Sequence, residues 1–238
     1  MAEPQVRFGA LGSSATSAGI DEGLRAYMLR VYNYMAGGLA ISGLVAYFVS
    51  SNEALMASLF GSGLGLVIAL APFAFVLVLS FGIQRVSPAT AQMLFWTFAA
   101  TMGLSLAPIL LMYTGASVAR VFFTTAATFG AMSLYGYTTK RNLAQFSSFL
   151  FMGLIGIVLA SIVNIFLGST GLGFVISVVG VLVFVGLTAH DTQMIREWYV
   201  EGEDSGQATK KAVYGALSLY LDFLNLFMML LRLFGERR

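Results

Sequence analysis

The sequence predicts an all-α, polytopic membrane protein with seven transmembrane helices, the last of them central to a surround of the other six. Three observations carry this. Hydrophobic residues make up 58% of the 238 positions and charged residues only 10%, where a soluble domain carries about 25% charged residues. With a mean hydropathy of +0.84, such a chain cannot cover its own surface with polar groups, so lipid is its solvent. The apolar residues also fall in continuous runs near the roughly 20 residues a membrane helix needs. Barrel strands alternate and run about ten residues. Finally, the last run, SLYLDFLNLFMMLLRLFG, hides a polar stripe inside an otherwise greasy helix.

Taken in order, residues 1–25 are small, polar and Gly/Ser-rich, without the apolar core of a signal peptide, and are expected to form a flexible cytoplasmic tail. Apolar runs follow at about 26–50, 62–83, 89–113, 117–138, 144–167, 171–193 and 211–234, which together define a transmembrane domain over 26–235. A short C-terminal tail, 236–238, remains. Most connections are short and turn-like; the exception is the charged segment MIREWYVEGEDSGQATKK. Pro72 and Pro108 lie within spans, where they would kink the helix and free carbonyls. Many of the 26 glycines also lie within spans and suit close helix packing in lipid.

Loop charge orients the chain. The loops after the first, third and fifth spans contain no Lys or Arg. Those after the second, fourth and sixth contain Arg85, then Lys140 and Arg141, then Arg196, Lys210 and Lys211. Arg7 and Arg25 sit in the tail. The positive-inside rule therefore places the N-terminus in the cytoplasm. A full crossing by the last span puts Glu236, Arg237 and Arg238 outside, and this is the expected path.

Ionisable groups at membrane depth are few and informative, because each costs roughly 2.5–3.5 kcal/mol on insertion scales unless it faces a partner or water. Asp191 lies near the end of the sixth span and Asp222 midway along the seventh. Arg30, Arg120 and Arg232 are close enough to span ends to snorkel. On the seventh span, Ser218, Asp222, Asn225, Met229 and Arg232 recur at helical spacing and share a face. A hairpin of the last two spans, tipped near Gly202–Gly206, would bring Asp191 and Asp222 to similar height, roughly 20 Å from the tip. Two carboxyls in contact cannot both ionise cheaply, so they would share a proton. The sole histidine, His190, is adjacent to Asp191; neighbouring helical positions point about 100° apart, so no direct hydrogen bond between them is expected.

Catalytic chemistry finds no support. There is no GxSxG elbow, no GxGD around the aspartates, no His/Glu metal spacing and no phosphate loop. Cysteine is absent, which excludes thiolate catalysis and disulfides. A net charge of +2 gives no electrostatic case for nucleic acid. An enzyme is not expected, nor a cofactor.

GLTAHDTQMI (186–195) and ALSLYLDFLNLFMMLLRLFG (216–235) closely resemble the two C-terminal signatures of the Bax inhibitor-1 family, the transmembrane BAX inhibitor motif proteins. FWTFAATMGLSLAPIL (95–110) resembles the family's third helix and KRNLAQFSSFLFMGLIGIVLASIVNIF (140–166) its fifth, so the likeness covers about residues 20–235. The resemblance implies a bacterial, multi-pass inner-membrane protein and a pH-sensitive calcium leak gated by an aspartate pair, here Asp191 and Asp222. It further implies that Arg85 hydrogen-bonds that pair. Calcium is then the permeant ion, held transiently by the two aspartates, with Asn225 and Ser218 along its path. The alternative is a non-conducting membrane protein that regulates membrane proteases or stress and cell-death machinery. Two departures from the family pattern are visible: a longer loop between the aspartates than in shorter bacterial members, and no acidic residue in VIALAPFAFVLVLS.

Overall fold

The structure is a computed structural model that describes residues 9–238, with side chains from Glu22 onward. Of the expected flexible N-terminal tail, residues 1–25, the first eight lie outside the described residues and the rest are helical from Gly9. The described chain forms eight helices: α1 (Gly9–Ser50), α2 (Glu53–Phe60), α3 (Leu64–Gly82), α4 (Pro88–Met112), α5 (Gly115–Thr138), α6 (Ser147–Leu167), α7 (Thr170–Glu197) and α8 (Ser205–Phe234). The seven expected spans appear as α1 and α3–α8. The short α2 occupies the connection read as a loop. Asn52 starts it by accepting from Leu55 N.

The helices outrun the apolar windows where polar caps, not hydropathy, set their ends. Asp204 Oδ2 accepts from Gly206 N and Gln207 N at 2.9 and 3.2 Å, so α8 begins six residues before the apolar run at 211. Likewise Ser87, Thr114 and Ser169 cap α4, α5 and α7. Six helices are long and apolar enough to cross a membrane; α5 is not among them. Its sequence is rich in Thr, Ser and Gly, and its hydroxyls turn back onto its own carbonyls. Thr124, Thr125 and Thr128 donate to Arg120 O, Val121 O and Thr124 O at 2.8–2.9 Å. A helix that satisfies its own hydroxyls remains compatible with lipid despite modest hydropathy.

Packing puts α8 at the centre. In its most apolar stretch 61% is buried, against 11% for α3 and for α6. The surround is uneven: α1, α4, α5 and α7 wrap α8, while α3 leans on α4 and α6 on α7. Aromatic rings close the seam between α4 and α8, with Phe98 and Tyr220 centroids 5.1 Å apart. On the outer helices Phe73, Phe81, Phe149 and Phe166 point outward, as a lipid-facing surface requires. A Cβ on Gly103 would stand 2.6 Å from Ser42 O, so glycine sets the close approach of α1 and α4.

Pro72 sits inside α3 and removes the hydrogen bond that Ile68 O would otherwise accept. Ser105 Oγ, from α4, donates to that carbonyl at 2.6 Å. The freed carbonyl is thus used to join two spans and does not line a cavity.

The last helix crosses the whole bundle. Thirty residues give it about 45 Å of length, and its tail pairs with the turn between α4 and α5. Tyr113 and Arg237 form an antiparallel bridge, Thr114 N donates to Glu236 O at 2.9 Å and Arg238 N to Met112 O at 3.1 Å. The C-terminus therefore lies at the end opposite the α3–α4, α5–α6 and α7–α8 connections. The last helix is continuous and does not double back.

Candidate functional site

The site grows from the α7–α8 hairpin. Gly202 takes φ +73°, a left-handed value suited to glycine, and turns the chain between the two helices. Gly215 lets them meet closely, since a Cβ there would stand 3.0 Å from Ile195 Cγ2. Gly180 does the same farther in, beneath Met229. These two contacts fix the register. They set Asp191 level with about Leu219 and Asp222 about one helical turn deeper, roughly 4.5 Å. The equal heights expected from chain length are therefore offset by one turn.

Both carboxyls line one cavity of about 670 Å³ between α6, α7 and α8. Ser147 and Ser148 from the start of α6, Phe184 from α7, and Ser218 and Asn225 from α8 complete its walls. Asp222 is buried, 6% exposed, and its Oδ2 has no hydrogen-bond partner. Such an atom is costly to bury and marks a place built for something other than packing. Asn225 Nδ2 is turned back to Leu221 O at 2.8 Å, which leaves its amide oxygen without a protein donor among the described residues.

His190 departs from expectation. Its Nδ1 lies 2.8 Å from Asp191 Oδ1. Cβ directions 100° apart do not prevent this, because both side chains lean over the same open cavity wall and reach each other beyond Cβ. No hydrogen bond joins Asp191 to Asp222; the direct partner of Asp191 is the imidazole. Sequence reasoning missed that bond, although the adjacent His-Asp pair was the signal available.

Arg85 is not brought to the pair. It is exposed in the α3–α4 turn, with its backbone N donating to Gly82 O, and it does not line the cavity. Lys211, one turn before Tyr214 of the cavity wall, is held 2.6 Å from Glu203 and 3.0 Å from Trp198 O. The polar stripe is shifted as well. The half-exposed face of α8 runs through Lys211, Tyr214, Ser218 and Asn225 to the exposed Arg232, whereas Asp222 and Met229 are buried, Met229 against Gly180 of α7. Among the described residues no group of three or more His, Cys, Asp or Glu side chains is placed to hold a metal ion. Two carboxyls and an amide fall short of the six to eight oxygens that calcium prefers.

At the far end of α8 lies a second cavity of about 600 Å³, between α4, α6, α7 and α8. Arg232 and Arg237 line it, with Asn164, and no carboxylate does.

An all-α, multi-pass membrane bundle with paired carboxyls on its last two helices defines the class. The chain matches the family described as inhibitor of apoptosis-promoting Bax1 over residues 24–238. It is 48% identical to the inner membrane protein YbhL of Escherichia coli over 219 residues, covering 91% of this chain and 94% of that one. It is 46% identical to a Rickettsia prowazekii protein over 230 residues, covering 96% and 97%. A Streptococcus pyogenes membrane protein is 37% identical over 219 residues, covering 91% and 95%. The chain belongs to the Bax inhibitor-1 family.

Proposed function

We propose that this protein is a pH-sensitive calcium leak of the bacterial inner membrane, with its N-terminus in the cytoplasm. The observation that carries the reading is the shared cavity: Asp191 and Asp222, from consecutive spans, face one space of about 670 Å³ within the bundle. The loop charges support the orientation, and the inner-membrane name of the Escherichia coli relative supports the location.

The chemistry follows from the groups that face the pair. From α7 these are His190 and Asp191, from α8 Asp222 and Tyr214, and from α6 only uncharged side chains. At low pH the imidazole is cationic against Asp191 and Asp222 carries a proton, so the cavity is nearly neutral and its walls stay together. As pH rises the imidazole loses its charge and Asp222 its proton. Two like charges then remain about a turn apart in a low-dielectric seam, and their repulsion loosens α6 and α7 from α8. Hydrated calcium would be drawn to that charge and pass through with few protein ligands, as permeation without tight binding requires. No cofactor or covalent step enters.

Purified full-length protein in calcium-loaded liposomes tests this. Efflux should rise from about pH 6 to about pH 8. A second reading has its own support: Arg232 and Arg237 stand at the far cavity and oppose a divalent cation. They favour a non-conducting protein that regulates other membrane proteins, such as membrane proteases. Absence of efflux across the whole pH range would select that reading.

A further inference from the structure

We propose that the cavity at the C-terminal end of the bundle binds the anionic headgroup of a phospholipid, and that it does so whether or not the chain conducts ions. Its polar wall is made of donors. Arg232 projects from the last turn of α8, and Arg237 is fixed by the bridge between its backbone and Tyr113. Neither guanidinium has a hydrogen-bond or ion-pair partner among the described residues. The nearest acid in sequence, Glu236, is engaged 3.4 Å away by Arg120. Asn164 Oδ1 already accepts from Ser169 N at 3.1 Å, which leaves the amide NH₂ as its free group. Ser169 Oγ accepts from Leu172 N in capping α7, so the helix end is already closed and the arginines carry the site.

Two guanidiniums and an amide, with no carboxylate beside them, fit a phosphate. The same absence of acid leaves nothing to receive the ammonium of a zwitterionic headgroup. The volume is that of a small-ligand site, about 300–1,000 Å³ in general. Its other walls are apolar and open outward: Met112, Ile165 and Phe174 are 51%, 78% and 62% exposed. A soluble anion has no use for that surface, whereas acyl chains below a bound headgroup would lie along it. Arginine at this depth would otherwise snorkel to bulk headgroups without selectivity; a cavity that gathers two unpaired guanidiniums and an amide selects.

The test is native mass spectrometry of the full-length protein released from nanodiscs of phosphatidylglycerol mixed equally with phosphatidylcholine. Phosphatidylglycerol should be retained over phosphatidylcholine by about thirtyfold, given the usual contribution of two arginines near a membrane surface. The double variant Arg232→Gln/Arg237→Gln should bring the ratio to near parity, while Arg85→Gln, at the opposite end of the bundle, keeps the preference. Gly173→Leu is the second variant. A Cβ there stands at ordinary contact, 3.4 Å from Asn164 Nδ2, so the helix tolerates it, and the added volume should expel the lipid with both charges intact. Equal retention of the two lipids by the parent protein would overturn the proposal, as would a preference that survives both variants. A third arm adds inorganic phosphate to protein in phosphatidylcholine nanodiscs. If phosphate alone raises the melting temperature, the double variant loses that rise, and phosphatidylglycerol is not retained, then the ligand is a soluble phosphate and the lipid assignment fails.

Discussion

The two ends of α8 face cavities of nearly equal size and opposite chemistry. One, about 670 Å³, holds Asp191, Asp222 and His190; the other, about 600 Å³, holds Arg232 and Arg237 and no acid. On α8 they are only one turn apart, from Asn225 to Met228. On α6 and α7 the gap is wider, from Leu154 to Ser161 and from Phe184 to Ser177, or roughly 10 Å each. Apolar groups fill it. Ile157 is buried at 6% exposure, and Met229 covers Gly180. The two cavities are thus separated by an apolar septum and differ in the charge of their walls. For a leak along α8, the septum is the barrier and the carboxyl cavity is the part that senses pH.

The contrast between the two cavities rests most heavily on Asp222. In Asp222→Asn the cavity keeps its shape but loses the acid whose oxygen lacks a partner. If the parent's calcium efflux rises about tenfold over the range that titrates such a pair, the variant's should change less than about twofold. A variant curve that superimposes on the parent's would remove Asp222 from the gate. Because the substitution is isosteric, an unchanged melting temperature separates this outcome from misfolding.

Next in size is the septum. Ile157→Ser puts a hydroxyl into the dry layer and should raise efflux by about fivefold at any pH, since apolar constrictions close by expelling water. The expected signature is a change in rate with no change in midpoint, the reverse of the Asp222 result. Efflux that stays at the parent's level would show that ions do not pass between α6, α7 and α8.

Much of this arrangement was legible in the sequence, and the parts that were not have definite causes. Helical period and hydropathy are local properties. They located the spans, the polar stripe on α8 and the two aspartates on consecutive helices within one turn of their observed heights. The direction of Asp222 was less accurate, because a stripe drawn on a helical wheel does not say which neighbour it meets; Gly180 and Gly215 set that by bringing α7 close. The His190–Asp191 bond depends on side-chain torsions that spacing cannot report. The tail's pairing with Tyr113 is a contact between distant segments, and a three-residue tail carries no period to announce it. The position of α6, backed on α7 and reaching α8 only across a cavity, is likewise a tertiary fact.

The basic end gives a smaller and opposite effect. Arg232→Gln/Arg237→Gln removes two positive charges from the far mouth and should raise calcium efflux by about threefold at low ionic strength, less in high salt. The direction matters more than the size. A fall in efflux would mean that the arginines hold the path open, which a repulsive mouth cannot do.

The smallest expected effect is at Arg85, and it bears on the acidic end. The resemblance to the family implies that this arginine hydrogen-bonds the aspartate pair, whereas here it stands exposed in the α3–α4 turn. The side chain meeting Asp191 is His190, at 2.8 Å, and Lys211, one turn from the cavity wall, is engaged by Glu203. An exposed guanidinium outside the cavity acts through water and salt, where charge interactions are weak beyond about 10 Å. Arg85→Ala should therefore move the midpoint of the efflux curve by less than about 0.2 pH units. A shift of about one unit would show that the α3–α4 turn swings inward as the cavity changes charge, and that the arginine meets the carboxyls in a state other than this one.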